Sequence, residues 1–191
     1  ADKTGRPDWI ALDLLSQAEH DENAQSILIT DSDSVVKAVT EQVDIILKNL
    51  SRAEIAGKSW KHNGAVIKVP DLDTAAELSN RIAPEHLELC ISNPEDLAKK
   101  ILNAGAIFLG HWTPEAVGDY VTGPNHVLPT SRSARFSSGL SVMEFLKRTT
   151  LAKVSRGALL KIGPSAVTLA NSEGLECHGR SINERMKSNS E

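Results

Sequence analysis

Between Pro7 and Gly110, short apolar runs at residues 26–30, 65–69, 87–91 and 106–109 alternate with stretches whose apolar residues recur at helical spacing. These short, mainly apolar runs, polar only at Ser26, Thr30, Lys68 and Glu88, suit largely buried strands. Helices between such strands supply the crossovers that parallel pairing requires. The pattern predicts an α/β fold built on a parallel-sheet layer. Aromatic residues make up only 4% of the chain, so aliphatic side chains such as Ile27, Ile29, Val66, Ile67 and Val69 must carry the packing.

Local signals place the elements. Pro7-Asp8 suits a helix start, because proline fixes φ and an acid complements the first turn, and the helix is expected to run to about His20. The oxygens of Asp31 to Ser34 precede Val35, Val39, Val43, Ile46 and Leu50, a helical stripe despite its β-branched residues. Further helices are expected over 73–81, over 94–104 with Gly105 just past the end, and from Thr113-Pro114 toward Asp119. After Gly110 the texture changes. A long Gly, Pro, Ser and Arg-bearing segment runs to Gly139, and Ser141-x-x-Glu144 reads as a capping box opening a helix through Leu146. Residues 164–171 and 175–186 read as helices, so residues 1–140 form the α/β portion and 141–191 an all-helical C-terminal tail. That tail is small for an independent core, which suggests docking elsewhere, for instance on another subunit. An α/β unit ordinarily enters its first helix from a strand, whereas this sequence starts in the turn. The expectation is a parallel-sheet α/β layer belonging to an incomplete Rossmann-like domain, with a preceding strand absent.

Composition removes several functions. A net charge of −4 and a pI near 5.9, with no basic run, offer no field for nucleic acid or an anionic membrane. No apolar run approaches the roughly 18 residues that span a bilayer, and the first residues lack a signal peptide's apolar centre. Cys90 and Cys177 show no CxxC spacing and suit a reducing compartment. A cytoplasmic location is expected, or a plastid after removal of a transit peptide.

The chemistry-bearing residues gather in a few polar knots. Glu85-His86 sets two different proton acceptors side by side after Pro84, and both can titrate near neutrality once burial or charge shifts them. Pro-Glu-His is equally able to cap a strand beginning at Leu87. Gln17 and His20, three apart on the expected helix, would present a carboxamide and an imidazole to one point, although a solvated helix face has the same spacing. His126 sits in a loop stiffened by Pro124 and Pro129. Arg132, Arg135, Lys147 and Arg148 read as solvated or paired rather than as an anion site. No Gly-x-Gly-x-x-Gly occurs, and no HExxH or other hydrolase spacing is present.

Taken together, Ser16-Gln17-Ala18-Glu19-His20, Ile82-Ala83-Pro84-Glu85-His86-Leu87-Glu88, Gly118-Asp119-Tyr120, Gly123 to Thr130 and Glu173 to His178 resemble the motifs of histidinol dehydrogenase. The resemblance covers almost the whole chain and matches the C-terminal part of longer family members. It implies oxidation of L-histidinol to L-histidine through the aldehyde with two NAD, the last step of histidine biosynthesis. It further implies zinc held by Gln17, His20, Asp119 and His178. Glu85 and His86 are implied as catalytic bases. Substrate contacts are implied for Gln17, His20, His86, Asp119, His126, Glu173 and His178. It implies that NAD contacts lie largely in the N-terminal portion ahead of residue 1, so no NAD-binding residue is assigned. A homodimer with exchanged helical tails and shared active sites is implied, with no nucleic acid or membrane partner. The alternative is a dimerising, zinc-binding fragment without catalysis.

Overall fold

The computed structural model describes residues 1–188 and divides into two compact units, Ala1–Phe145 and Leu146–Glu191. In the first, α1 (Pro7–Ala18), β1 (Ile27–Thr30), α2 (Asp33–Leu47), α3 (Ala53–Asn63), β2 (Ala65–Lys68), α4 (Leu72–Ile82), β3 (His86–Leu89), α5 (Pro94–Ala98), β4 (Ala106–Leu109) and α6 (Glu115–Tyr120) follow in order. β1 pairs with β2 and β3 with β4, both in parallel, so the α/β class expected from the sequence is what the chain adopts.

Each strand pair has its own core. Ile10, Leu14 and Leu15 of α1 meet Leu28 of β1 and the valine stripe Val35, Val39 and Val43 of α2, spaced four apart on one helical face. Ser32 caps α2 by accepting from the Val35 N–H. A smaller cluster gathers Ala76, Leu89, Ile91 and Leu97 around β3. Between the two pairs lies a cavity of about 1050 Å³, bordered by both β1 and β3.

Several expectations are corrected. α1 stops at Ala18, so His20 lies in the following turn, where its N–H reaches the Gln17 carbonyl at 3.3 Å and its own carbonyl accepts from Arg52. α5 stops at Ala98 rather than 104. Asn80 takes over the backbone beyond it, its Oδ1 accepting from the N–H groups of Leu102 and Asn103 and its Nδ2 donating to Lys100 O. Gly105 therefore ends no helix. It lies where a Cβ would sit 2.5 Å from the Glu85 carbonyl, so β4 can approach β3 only through glycine. α3 has no counterpart in the sequence reading. The capping pair forms, with Glu144 accepting from Ser141 N and Oγ at 2.6 Å, but only one 3₁₀ turn (Val142–Phe145) follows before the chain extends toward β-branched Thr149-Thr150.

In the second unit α7 (Arg156–Ser172) and α8 (Glu176–Lys187) form a hairpin. α7 begins eight residues before the expected start and carries Pro164 in its interior. Proline removes a helical hydrogen bond. Close packing offsets that loss: Gly163 lets α8 approach until an added Cβ would lie 2.6 Å from Met186 Sδ.

Candidate active site

In a parallel α/β unit the helix carries the chain back from the carboxyl edge of the sheet to the amino edge, where the next strand starts. The C-terminal end of α1 and the residues opening β3 therefore share one edge. α4 ends when Ala83 takes a left-handed conformation (φ 55°, ψ 64°), its N–H bonded to Ser79 O at 2.8 Å, and this turns the chain into Pro84 and then Glu85-His86. Such a conformation in a non-glycine residue is sparsely populated and persists where its surroundings enforce it. Arg132 supports the corner by donating to the carbonyls of Ile82 at 3.2 Å and Arg81 at 2.8 Å. Arg135 also donates to Arg81 O. Both arginines thus serve an orphaned helix end, in line with reading them as paired groups.

Glu88 projects from β3 and accepts from the Glu115 N–H at 2.7 Å, giving the start of α6 a partner it otherwise lacks. With α6 anchored there, Glu115 and Asp119 fall at i and i+4 on one helical face. His126 arrives from the segment after α6 and stacks on His86, ring centroids 4.8 Å apart and planes within 13°. Their Nε2 atoms are 3.1 Å apart, which requires one to donate and the other to accept. Glu115 Oε1 lies 3.7 Å from the Nε2 of each imidazole, and Glu85 Oε1 lies 4.0 Å from His86 Nε2. The side chains of His86 and Glu115 are only 16% and 12% exposed, so these charges interact with little water between them.

Burial lowers the basicity of His86, partly offset by the Glu85 carboxylate, so its imidazole is neutral and able to accept a proton at neutral pH. Burial, reinforced by hydrogen bonding and charge from Asp119, pushes Glu115 up to about 7. Asp119 Oδ1 is 2.7 Å from His126 Nδ1, an ion-pair distance, yet this buried oxygen has no hydrogen bond of acceptable alignment among the described residues.

Of the residues singled out in the sequence, Glu85, His86, Asp119 and His126 converge. Gln17 lines the same cavity as Glu85 and His86. His20 is exposed beyond α1, close enough that its charge acts on His86. Glu173 caps the C-terminal end of α7 and His178 lies in the first turn of α8, both exposed and both in the second unit. One group able to hold a cation, with donor atoms within 4.8 Å of one another, is His86, Glu115 and His126. Glu115 was not singled out in the sequence; its signal was the Glu-x-x-x-Asp spacing on the short helix before the Gly-Asp-Tyr motif. Glu88 is the other surprise. Burial and the charge of neighbouring Asp13 raise it to about 8, and burial raises the Cys90 thiol beside it to about 12, leaving that sulfur unreactive.

Comparison with known proteins places these residues in context. The sequence model for histidinol dehydrogenase matches residues 1–186. The histidinol dehydrogenase of Ruegeria pomeroyi is 67% identical over 186 residues, covering 97% of this chain and 43% of that protein. That of Cereibacter sphaeroides is 64% identical over 180 residues, covering 94% and 42%. The crystal structure of histidinol dehydrogenase from Elizabethkingia anophelis superposes on all of this chain and 44% of its own, with a TM-score of 0.85 and 39% identity. The chain thus spans less than half the length of these relatives.

Proposed function

We propose, from the premise that this chain belongs to the histidinol dehydrogenase family, that its Glu85-His86 site oxidises L-histidinol to L-histidine by way of the aldehyde, in a polypeptide of its relatives' full length. The observation that carries the reading is the packed group of Glu85, His86, Glu115 and His126, in which the Nε2 of His86 has the His126 Nε2 at 3.1 Å, a Glu115 oxygen at 3.7 Å and a Glu85 oxygen at 4.0 Å.

Each oxidation removes a hydride and a proton, and the second also consumes a water. NAD, when bound, accepts the hydride in each round. His86, neutral because it is buried, takes the alcohol proton at Nε2. The positive charge it gains is met by Glu85 and Glu115, while the stacked His126 keeps its ring from turning. Glu85, at 35% exposure the more open of the acids around His86, takes a proton from the water that attacks the aldehyde. His86 then acts a second time as the hydrate is oxidised. Glu173 would pair with the cationic end of the substrate.

The residues that would hold zinc are Gln17, His20, Asp119 and His178, two nitrogens and two oxygens. The buried Oδ1 of Asp119 faces His126 Nδ1 at 2.7 Å without an aligned hydrogen bond among the described residues, which leaves it able to serve a cation, and Gln17 offers a carboxamide oxygen from the cavity that Glu85 and His86 line. Zinc, when bound, supplies a Lewis acid and a template that orients the substrate's imidazole and amine. Two copies of the chain would complete one another's sites through Glu173 and His178. The exposed Tyr120, Phe136, Phe145 and Leu151 supply apolar surface for a partner to cover.

The deciding experiment replaces His86 by Ala in a protein of the relatives' full length and follows NADH production from histidinol and NAD beside zinc content. Turnover should fall by about 10²-fold or more while zinc is retained. Near-normal NADH production would refute the assignment. Adding histidinol and NAD to the 191-residue chain by itself separates a catalytic unit from a zinc-binding one.

A further inference from the structure

Among the described residues, three other than glycine hold a left-handed backbone: Ala83 (φ 55°), Ser131 (φ 52°) and Arg132 (φ 66°). All three fall at one junction. Ala83 is the corner that turns α4 into Glu85-His86, and Arg132 donates to the carbonyls of Arg81 and Ile82 immediately before it. Left-handed conformations in non-glycine residues are costly and gather where function holds them. The turn through Ser131 and Arg132 is closed by Ser133, whose N and Oγ donate to Thr130 O at 3.0 and 2.6 Å, and it brings the guanidinium to the end of α4.

The corner is held from two sides. Gly105 N donates to Pro84 O at 3.0 Å and Ala106 N to Glu85 O at 2.9 Å, so β4 and its entry occupy carbonyls after Ala83, while Arg132 and Arg135 occupy those before it. The segment that carries the arginines also carries His126, and its ends are tied together. Asn125 Nδ2 donates to Leu140 O at 2.5 Å, Asn125 Oδ1 accepts from Val127 N at 2.9 Å, and Leu140 N donates to Val127 O at 2.9 Å. Residues 125–140 thus form an Ω-loop, its neck joined across His126 and its tip on α4. Between neck and tip, buried Pro129 packs on Gly105, where an added Cβ would lie 3.1 Å from its Cδ.

We propose that this loop is a strap that sets the spacing of the two stacked imidazoles, with His126 at its neck, the Glu85-His86 corner under its tip, and Arg132 a positioning residue for the reaction. For turnover this rests on the enzymatic reading above; for the ring geometry it does not. Arginine suits the task because its planar fork serves two carbonyls at once, at 2.8 and 3.2 Å, whereas a lysine ammonium is a single point charge on a flexible stem. The groups it positions tolerate little displacement, since about 1 Å of misplacement costs on the order of 100-fold in rate. A helix cap alone would require neither the left-handed pair nor a loop that returns to the site.

Arg132→Gly removes the guanidinium while suiting the left-handed backbone, so the loop keeps its turn and loses its grip on α4. In a protein of the relatives' full length it should lower kcat for histidinol oxidation by about 10- to 100-fold while KM stays within about twofold and zinc content is unchanged. In the variant's crystal structure the ring centroids of His86 and His126, 4.8 Å apart here, should stand about 1 Å further apart than in the unsubstituted protein. Arg132→Lys should restore part of both the rate and the spacing. A wild-type kcat in the Gly variant would overturn the proposal, and so would an unchanged ring spacing, which together with a lowered urea midpoint would mark the arginine as merely structural. If the unsubstituted protein makes no NADH from histidinol, the enzymatic reading fails by itself and the ring spacing alone decides for the strap. Should Arg132→Gly not fold, Arg132→Asn takes its place on the same measurements, because asparagine also tolerates a left-handed backbone and is too short to reach both carbonyls.

Discussion

Replacing Glu88 by Gln should flatten the pH dependence of stability. Glu88 and Asp13 face each other at the cavity wall with their donor atoms and Cys90 Sγ within 4.8 Å, and burial raises both carboxyls, Glu88 to about 8. Two carboxylates so close cannot both ionise cheaply, and the arrangement is one proton shared, with protonated Glu88 donating to Asp13. A carboxyl raised in the folded state binds more protons there than in the unfolded chain. The stability it contributes is therefore fully present below about 4.5 and is lost as pH climbs through about 8. Each pH unit between those values removes about 1.4 kcal/mol. The full loss is about 2–5 kcal/mol, the lower figure allowing for screening by water in the cavity. That is a large share of a domain's usual stability. Glutamine keeps the acceptor that anchors the Glu115 N–H, now at 2.7 Å, and turns its amide toward Asp13, so a donor to the Asp13 carboxylate is present at every pH. Urea titrations at pH 5.5, 7 and 9 measure the effect. The wild-type chain should lose stability across that series and the Gln variant should hold most of it. Parallel pH profiles for the two proteins would refute the shared proton.

Glu115 should titrate near 7 when its carboxyl carbon is followed by NMR, because burial and Asp119 oppose its ionisation; a midpoint between 4 and 5 would show that water reaches it freely. Gly105→Ala places a methyl 2.5 Å from the Glu85 carbonyl, so β3 and β4 must separate at that point. The expected cost is about 1–3 kcal/mol in a denaturant titration, and an unchanged midpoint would mean that the strand entry is looser than described.

What was legible in the sequence is what a single element encodes by itself. α2 announces itself because Val35, Val39 and Val43 fall on one face and are all buried. α3 escaped because the residues it buries are Ala56 and Ser59, one small and the other a hydroxyl that donates to Ala24 O across the fold, so no large apolar period marks its face. The end of α5 is set by Asn80, about twenty residues away, and the persistence of α7 through Pro164 by contact with α8. The site divides along the same line. Glu85 and His86 stand out as neighbours in sequence, and Asp119 and His126 through their motifs. Glu115 looks like an ordinary acid at a helix start, and only the fold brings it within 3.7 Å of two imidazoles.

The sheet carries the same reasoning one level higher. A four-residue apolar run specifies that a strand is buried, but its neighbour is chosen by backbone groups that every sequence has. In the structure the Ala1 nitrogen donates to Ile29 O and the Asp2 N–H to Cys90 O, so these two residues bridge the two strand pairs. Because Glu88 of β3 anchors the start of α6 by accepting from the Glu115 N–H, the strand that presents His86 also places the helix that carries Glu115 and Asp119. Alignment of the Glu85-His86 pair and the approach of Glu115 to the two imidazoles are thus two consequences of the placement of one short strand.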